Sequence, residues 1–385
     1  MLDLNPYILS LLPKVLFIVN VDWFFVSHRL PIAQAANKKG FEVHVASSFT
    51  GSQGIIEESG IAVHKLNLDR SSFGIIENFK IFIEIINLIK RIRPSVIHLV
   101  TIKPVLMGCF AAKLFNYPLN IVASVSGLGT IFIHQGFLAK VRRLIISAIY
   151  RLAFSNSNLK VIFQNSDDLY KISRISALPR YKTVLIPGSG VDLSLFKMTP
   201  PPIGRPKILF AARLLTSKGI YEYLYAAKKL FNIADFFILG KLDFDNRDSI
   251  SEDLFDEFIK SGYITYLGFS ENMVQSISNS SLVILPSYRE GLPKVLIEAA
   301  ACGRPVITTD TPGCRDAIIP NETGLLVAPR DKEGLVSSIK ILLNDPNLMI
   351  RMGKKGRQLA EDKFDINDVI KTHLEIYNQF SDSTK

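Results

Sequence analysis

The chain has 385 residues, 48% hydrophobic and 21% charged, with a formal net charge of +10. That length suits two domains, each large enough to bury a core, and the composition excludes a disordered, collagen-like or repeat protein. Three cysteines (Cys109, Cys302 and Cys314) are odd in number and form no Cys-x-x-Cys pair, which argues against a disulfide framework or zinc site and suits a reducing cytoplasm.

No stretch reaches the roughly 18 apolar residues that a spanning helix needs. The opening MLDLNPYILSLLP has no basic region before it and no small-residue cleavage site after it, so no signal peptide is expected. Val15 to Val26 is broken by Asn20 and Asp22 and reads as a strand, Val15–Val19, running into a loop. A helix follows from Leu30 to Lys39, closed by Gly40. His28 and Arg29, in the loop that opens it, are candidate contacts for an anionic or sugar ligand. Glu42–Ala46 is the next strand, and Ile75–Arg93 has helical spacing and stops before Pro94. Strands Val96–Val100 and Asn120–Ser124 flank a helix at Val105–Phe115. His98 is placed at the ligand-binding edge beside Lys103. Strands alternating with helices of this length make a parallel sheet.

The charge is uneven. Residues 1–186 carry 21 Lys and Arg against 10 Asp and Glu, and no acidic residue lies between Glu84 and Asp167. An unneutralised stretch of this kind suits an anionic partner. Phe137–Phe154 has Val141, Leu144, Ile145, Ala148, Ile149 and Leu152 along one helical face, with Arg142, Arg143, Tyr150 and Arg151 on the rest. A basic amphipathic helix can lie at an anionic membrane surface. Nucleic acid is not expected, because stacking aromatics do not interleave with the cations.

The second half repeats the alternation: strands at Ile208–Ala211, Phe236–Leu239, Tyr263–Leu267, Leu282–Leu285 and Val306–Thr309, and helices at Ile220–Leu230, Met273–Ser280, Lys294–Ala301 and Glu333–Leu343. The boundary falls near Ile186–Leu193. The reading is therefore α/β, with two Rossmann-like doubly wound parallel-sheet domains facing across a cleft: residues 1–188 on the acceptor side, 189–364 on the donor side, and a helix in 365–385 returning to the first domain.

The loop after strand Leu282–Leu285 carries Glu290 and leads into an apolar helix that contains Glu298, with Pro293 at its first turn. Ligands of doubly wound sheets bind at the carboxyl ends of the strands, where a helix amino terminus favours phosphate. A carboxylate in so apolar a helix needs a partner, either ribose hydroxyls or a cation on a neighbouring helix. Arg213 and Lys218 leave strand Ile208–Ala211 at the same edge, and the fork of an arginine with the point charge of a lysine suits a diphosphate.

Glu290 and Glu298, with seven residues between them, together with Arg213, Lys218 and Ile186-Pro-Gly-Ser-Gly-Val-Asp192, resemble glycosyltransferase family 4. The string from Tyr288 to Asp316 is similar to the bacterial branch that extends polyprenyl-diphosphate-linked oligosaccharides. Phe25-Val-Ser-His-Arg-Leu30 and Ser126-Gly-Leu-Gly129 look like that branch too. The resemblance implies a GT-B fold and a retaining transfer from a nucleotide sugar, UDP-linked rather than GDP-linked, without a bound metal or other cofactor. It implies that Glu290 holds sugar hydroxyls, Glu298 the ribose, and Arg213 and Lys218 the diphosphate. Gly291 and Leu292 would offer backbone N–H groups, with Gly268 and Phe269 near the base. Many relatives carry a histidine where this chain has Ser126; Gly127 and Gly129 would still permit close approach of donor and acceptor. The implied acceptor is a lipid-diphosphate-linked saccharide in O-antigen or capsule synthesis, met by a cytoplasmic protein held peripherally at the inner face of the membrane. Two other readings share the architecture: a non-hydrolysing sugar-nucleotide 2-epimerase and a sugar-nucleotide-binding subunit without catalysis.

Overall fold

The computed structural model describes residues 12–68, 74–115, 119–127, 137–243, 246, 248–270 and 272–382. The chain divides into two compact units, Pro187–Asn367 and the residues before Pro187 joined by those from Asp368 onward.

The first unit is a seven-stranded parallel sheet of β1 (Lys14–Val21), β2 (Glu42–Ser48), β3 (Ala62–Lys65), β4 (Val96–Val100), β5 (Asn120–Val125), β6 (Leu159–Phe163) and β7 (Thr183–Leu185), ordered 3-2-1-4-5-6-7. The order reverses between β1 and β4, which pair from Val15↔Val96 to Val19↔Val100. Side chains alternate across β1. Leu16 and Ile18 pack with the Ile75–Ile92 and Ile102–Ala112 helices, while Val15, Phe17 and Val19 pack with Leu30–Lys38 and the closing helix Ile366–Asp382. That closing helix contributes Val369, Ile376, Tyr377 and Phe380 to the first unit's core.

Beyond β1 the structure corrects the expected loop. Asp22–His28 is a helix. Asp22 is buried and its carboxylate accepts from Thr50 N (2.8 Å), Ser52 N (2.7 Å) and Thr50 Oγ1 (2.7 Å). Burial alone would raise its pKa, but these donors outweigh burial and hold it below the usual carboxylate value. The helix expected at Val105–Phe115 runs from Ile102 to Ala112, one turn earlier, and β3, β6 and β7 were not singled out by pattern. Thr183–Leu185 is short and Ala62–Lys65 half-exposed, so neither presents a full period of burial.

The second unit is a six-stranded parallel sheet of β8 (Lys207–Ala211), β9 (Asp235–Leu239), β10 (Thr265–Tyr266), β11 (Leu282–Leu285), β12 (Val306–Thr309) and β13 (Gly324–Val327), ordered 10-9-8-11-12-13. Its order reverses between β8 and β11, just as the first reverses between β1 and β4. The helix Lys294–Ala301 is buried from Val295 to Ala301 and packs on Pro346–Lys363. Pro293 precedes that helix at its cap, one place before the position expected.

Candidate active site

Two loops meet at the strand-order reversal of the second unit. Past β8 the chain makes a single turn, Thr216–Lys218, ended by Gly219 at φ +77°. A Cβ on Gly219 would lie 2.2 Å from Pro286 O, so only glycine lets this turn lie against the loop after β11. The two loops are stitched by Tyr288 N donating to Ser217 O (2.8 Å) and Ser287 Oγ donating to the same carbonyl (3.0 Å). Behind them Thr311 Oγ1 donates to Ser287 O at 3.2 Å. Gly313, at φ +82°, leaves room for the carbonyls of Glu290 and Gly291, which a Cβ there would approach to 2.5 Å.

This frame brings Lys218 onto Glu290, where the ammonium and the carboxylate form a short ion pair. Arg213 Nη1 pairs with Asp243 Oδ2 at 2.9 Å. Each cation therefore has a carboxylate partner in the free chain, which keeps both extended at the sheet edge without an unbalanced charge. Glu298 is buried, and its ion-pair partner comes from its own helix rather than from a neighbouring one. Lys294 Nζ, one turn earlier in its own helix, lies 3.4 Å away. Burial pushes the Glu298 pKa up, and Lys294 pulls it partly back. Leu292 is buried against Gly188, whose φ of +69° again suits glycine. Gly268 follows β10 with open space around it, and Phe269 is 63% exposed beneath Lys241 Nζ, 5.3 Å from its ring centroid.

Sequence reasoning missed three supports of this site. Asp243 balances Arg213, and Asp248 Oδ2 accepts from Ser217 N at 3.0 Å. Tyr288 donates its hydroxyl to buried Glu222 (2.9 Å) and carries Arg330 over its ring at 4.9 Å. Its pKa is pushed up to about 12 by burial and that hydrogen bond. Tyr288 lies inside the motif and could have been found; the carboxylates come from loops with no periodicity.

In the first unit Ser126 and Gly127 follow β5, with Gly127 at φ +117°. Gly129, His134 and the side chain of Arg142 lie outside the described residues. His28 and Arg29 close the Asp22–His28 helix. The His28 ring stacks on Phe24 at 4.1 Å. Arg29 is buried, donates from Nη1 to His28 O (2.9 Å), and is lowered to about 10 by burial. The placement of His98 at the sheet edge is overturned. It is the middle residue of β4, fully buried, with Nδ1 bonded to Tyr377 Oη (2.6 Å) and Nε2 to Ser124 Oγ (2.7 Å). Strand alternation turns it into the face covered by the closing helix, and burial holds its pKa well below the ordinary value. Lys103, in the first turn of the Ile102–Ala112 helix, stays half-buried at the edge without it.

The stretch read as an amphipathic helix is the helix Phe137–Ala153. Tyr150 and Ala153 point into the core, while Leu144, Ile145 and Leu152 are exposed with Arg143 and Arg151. Among the described residues no helix is long and apolar enough to cross a membrane.

Two family models together span most of the chain. Residues 194–359 match "Glycosyl transferases group 1" and residues 14–165 match "Glycosyl transferase 4-like". The chain belongs to the family 4-like glycosyltransferases. This glycosyltransferase is 29% identical to the N,N'-diacetylbacillosaminyl-diphospho-undecaprenol alpha-1,3-N-acetylgalactosaminyltransferase of Campylobacter jejuni, over 91% of this chain and 94% of that protein. It is 26% identical to the capsular polysaccharide biosynthesis glycosyltransferase CapM of Staphylococcus aureus, over 92% and 95%. Its fold is that of sucrose-phosphate synthase from Thermosynechococcus elongatus, with a TM-score of 0.79 at 23% identity, covering 96% of this chain and 100% of that one. Anabaena HepE, solved with UDP and glucose, superposes with a TM-score of 0.75 at 17% identity, covering 97% and 99%. Two parallel-sheet domains of this kind are the GT-B architecture.

Proposed function

We propose that this glycosyltransferase moves a hexose or N-acetylhexosamine from a UDP-sugar to a polyprenyl-diphosphate-linked saccharide, with retention of anomeric configuration, in surface-polysaccharide synthesis. The observation that carries the reading is the Lys218–Glu290 pair beside Arg213 at the strand-order reversal of the second sheet. An incoming diphosphate offers both cations a better partner than a lone carboxylate, since it has more oxygens and more charge. Lys218 turning to the diphosphate frees Glu290 to accept from sugar hydroxyls. Glu298 is buried where ribose hydroxyls would be its remaining donors, and exposed Phe269 offers a face to the base. The N–H groups of Gly291 and Leu292 lie in the loop next to Glu290.

In the step itself the acceptor oxygen bonds the anomeric carbon from the face the leaving group departs. The carbon–oxygen bond to UDP breaks, and the acceptor proton passes to the leaving phosphate. Ser126 need not act as a base in such a step. Charge growing on UDP is met by Arg213 and Lys218, so no metal is required. The Campylobacter relative's name specifies a lipid-diphosphate acceptor and the Staphylococcus relative's a capsular product, which supports this substrate class and favours transfer over 2-epimerisation. His28, Arg29, Lys103 and Gly127 are the acceptor-side residues of this reading.

The exposed Leu144, Ile145 and Leu152, flanked by Arg143 and Arg151 in the acid-free stretch, fit peripheral binding to an anionic inner-leaflet surface. The test is thermal stabilisation across a panel of UDP- and GDP-sugars, followed by transfer to an undecaprenyl-diphosphate-linked saccharide. A single UDP-sugar should stabilise most and be consumed only with acceptor. Consumption without acceptor, yielding an epimer, would replace this reading.

A further inference from the structure

The first sheet has its own strand-order reversal, between the carboxyl ends of β1 and β4, where doubly wound sheets take their ligands. Asn20 is the last but one residue of β1 and Thr101 follows β4. Because Val19 pairs with Val100, the two residues occupy adjacent positions across that reversal. Asn20 is nine-tenths buried, and its Oδ1 has no hydrogen-bond partner. Thr101 Oγ1 is also buried and unpartnered. Interior polar groups are nearly always bonded, so two orphans side by side call for an explanation.

Thr101 supplies two more observations. It holds φ +75° and ψ 163°, a region that is essentially glycine's. It also stands at the cap of the Ile102–Ala112 helix, where a threonine hydroxyl ordinarily accepts from a free amide, yet it makes no such bond. The backbone is thus held in a costly conformation while the hydroxyl forgoes its usual local partner. Its backbone is tied on both sides, N donating to Ser124 O at 3.2 Å and O accepting from Val105 N at 3.0 Å, so the conformation is imposed by the sheet and the helix.

We propose that Asn20 and Thr101 form a saccharide subsite, in which one hydroxyl of the acceptor sugar donates to Asn20 Oδ1 and accepts from Thr101 Oγ1–H. The chemistry selects a hydroxyl over a phosphate, because an amide oxygen repels an anion but accepts from an alcohol. The acceptor, rather than the donor sugar, is assigned because the cations that suit the donor diphosphate belong to the other sheet; to that extent the inference rests on the proposed function.

The test compares Asn20→Leu and Thr101→Val with the wild-type full chain in two measurements. The first is the melting temperature without ligand. Replacing an orphaned polar group by an apolar one of similar shape should leave the melting temperature unchanged or raise it, and Thr101→Gly should raise it by relieving φ. The second is steady-state kinetics with UDP-N-acetylgalactosamine and undecaprenyl-diphosphate-linked N,N'-diacetylbacillosamine. Each variant should raise the acceptor KM about tenfold and leave the donor KM unchanged. A lower melting temperature in both isosteric variants would mean the groups are structural and overturns the subsite. An unchanged acceptor KM overturns it as well, and a rise confined to the donor KM overturns the acceptor assignment. Wild-type inactivity with that pair counts against the proposed substrates alone, and the melting temperatures then decide the subsite.

Discussion

The two sheets of this glycosyltransferase share one strand order and differ in what stands at the point where it reverses. In the second unit that point carries Arg213 with Asp243 and Lys218 with Glu290, ion pairs that an anion can reorganise. In the first it carries two side-chain atoms, Asn20 Oδ1 and Thr101 Oγ1, with no hydrogen-bond partners. One scaffold therefore offers ion pairs suited to a leaving diphosphate at one reversal and two orphaned hydrogen-bonding atoms suited to a hydroxyl at the other. The histidines divide just as unevenly: all six lie in the first unit's stretches of the sequence.

The largest expected effect tests those ion pairs. Arg213→Ala with Lys218→Ala should lower kcat by about a thousandfold or more, since losing one preorganised donor to a developing anion costs roughly 10²–10³. Steady-state kinetics on the double variant checks this, and a loss below tenfold would make the two reversals equivalent. Glu290→Gln should follow, mainly in kcat and by about a hundredfold, whereas Glu298→Gln should raise the donor KM by about tenfold with the fold intact. Wild-type values for both glutamates would remove the donor assignment.

Acid should separate the two units. His98 and His373 are buried and held neutral, His373 down to about 3, chiefly by burial. The unfolded chain takes up protons on them below its ordinary pKa near 6.5 while the folded chain does not. Stability is therefore full above that pH and lost as pH falls, by roughly 2 kcal/mol for His373 at pH 5. Trp23, the single tryptophan, reports on the first unit. Its fluorescence should show acid melting before hydrogen exchange in β8–β13 changes; simultaneous loss would show that the units unfold as one.

The smallest expected effects concern the surroundings of the reaction. Vesicles with anionic lipid should bind the protein and release it as salt rises, because screening acts within about 8 Å at physiological ionic strength. Replacing Arg142, Arg143 and Arg151 with Glu should abolish cosedimentation and spare turnover of a water-soluble acceptor analogue. Equal binding to neutral vesicles would leave the basic first half without this role. EDTA should leave turnover unchanged, and strict dependence on added magnesium would show that Arg213 and Lys218 do not suffice at the diphosphate.

How much was legible depended on how local the signal was. Glu290, Glu298, Arg213 and Lys218 could be read because they lie in short runs tied to one strand and its following helix. The parallel sheets could be read from alternation alone, yet β3, β6, β7 and β13 could not, being too short or too uniform to show a period. His98 was misplaced because a strand pattern does not say what covers its face. The answer lies 279 residues away, in Tyr377.

The amino-acid sequence by itself determined the two α/β units, the motif that marks the charged edge, and the family. The units follow from periodicity and the motif from spacing, which act over a few residues, and the family from the motif's resemblance to known glycosyltransferases. Only the tertiary structure decided that Lys218 meets Glu290, that Lys294 of the same helix pairs with Glu298, and that Tyr150 faces inward. It alone set the orphaned Asn20 beside a strained Thr101. Each of these depends on which distant segments the sheets bring side by side, and a burial or a missing hydrogen bond exists only once that packing is complete.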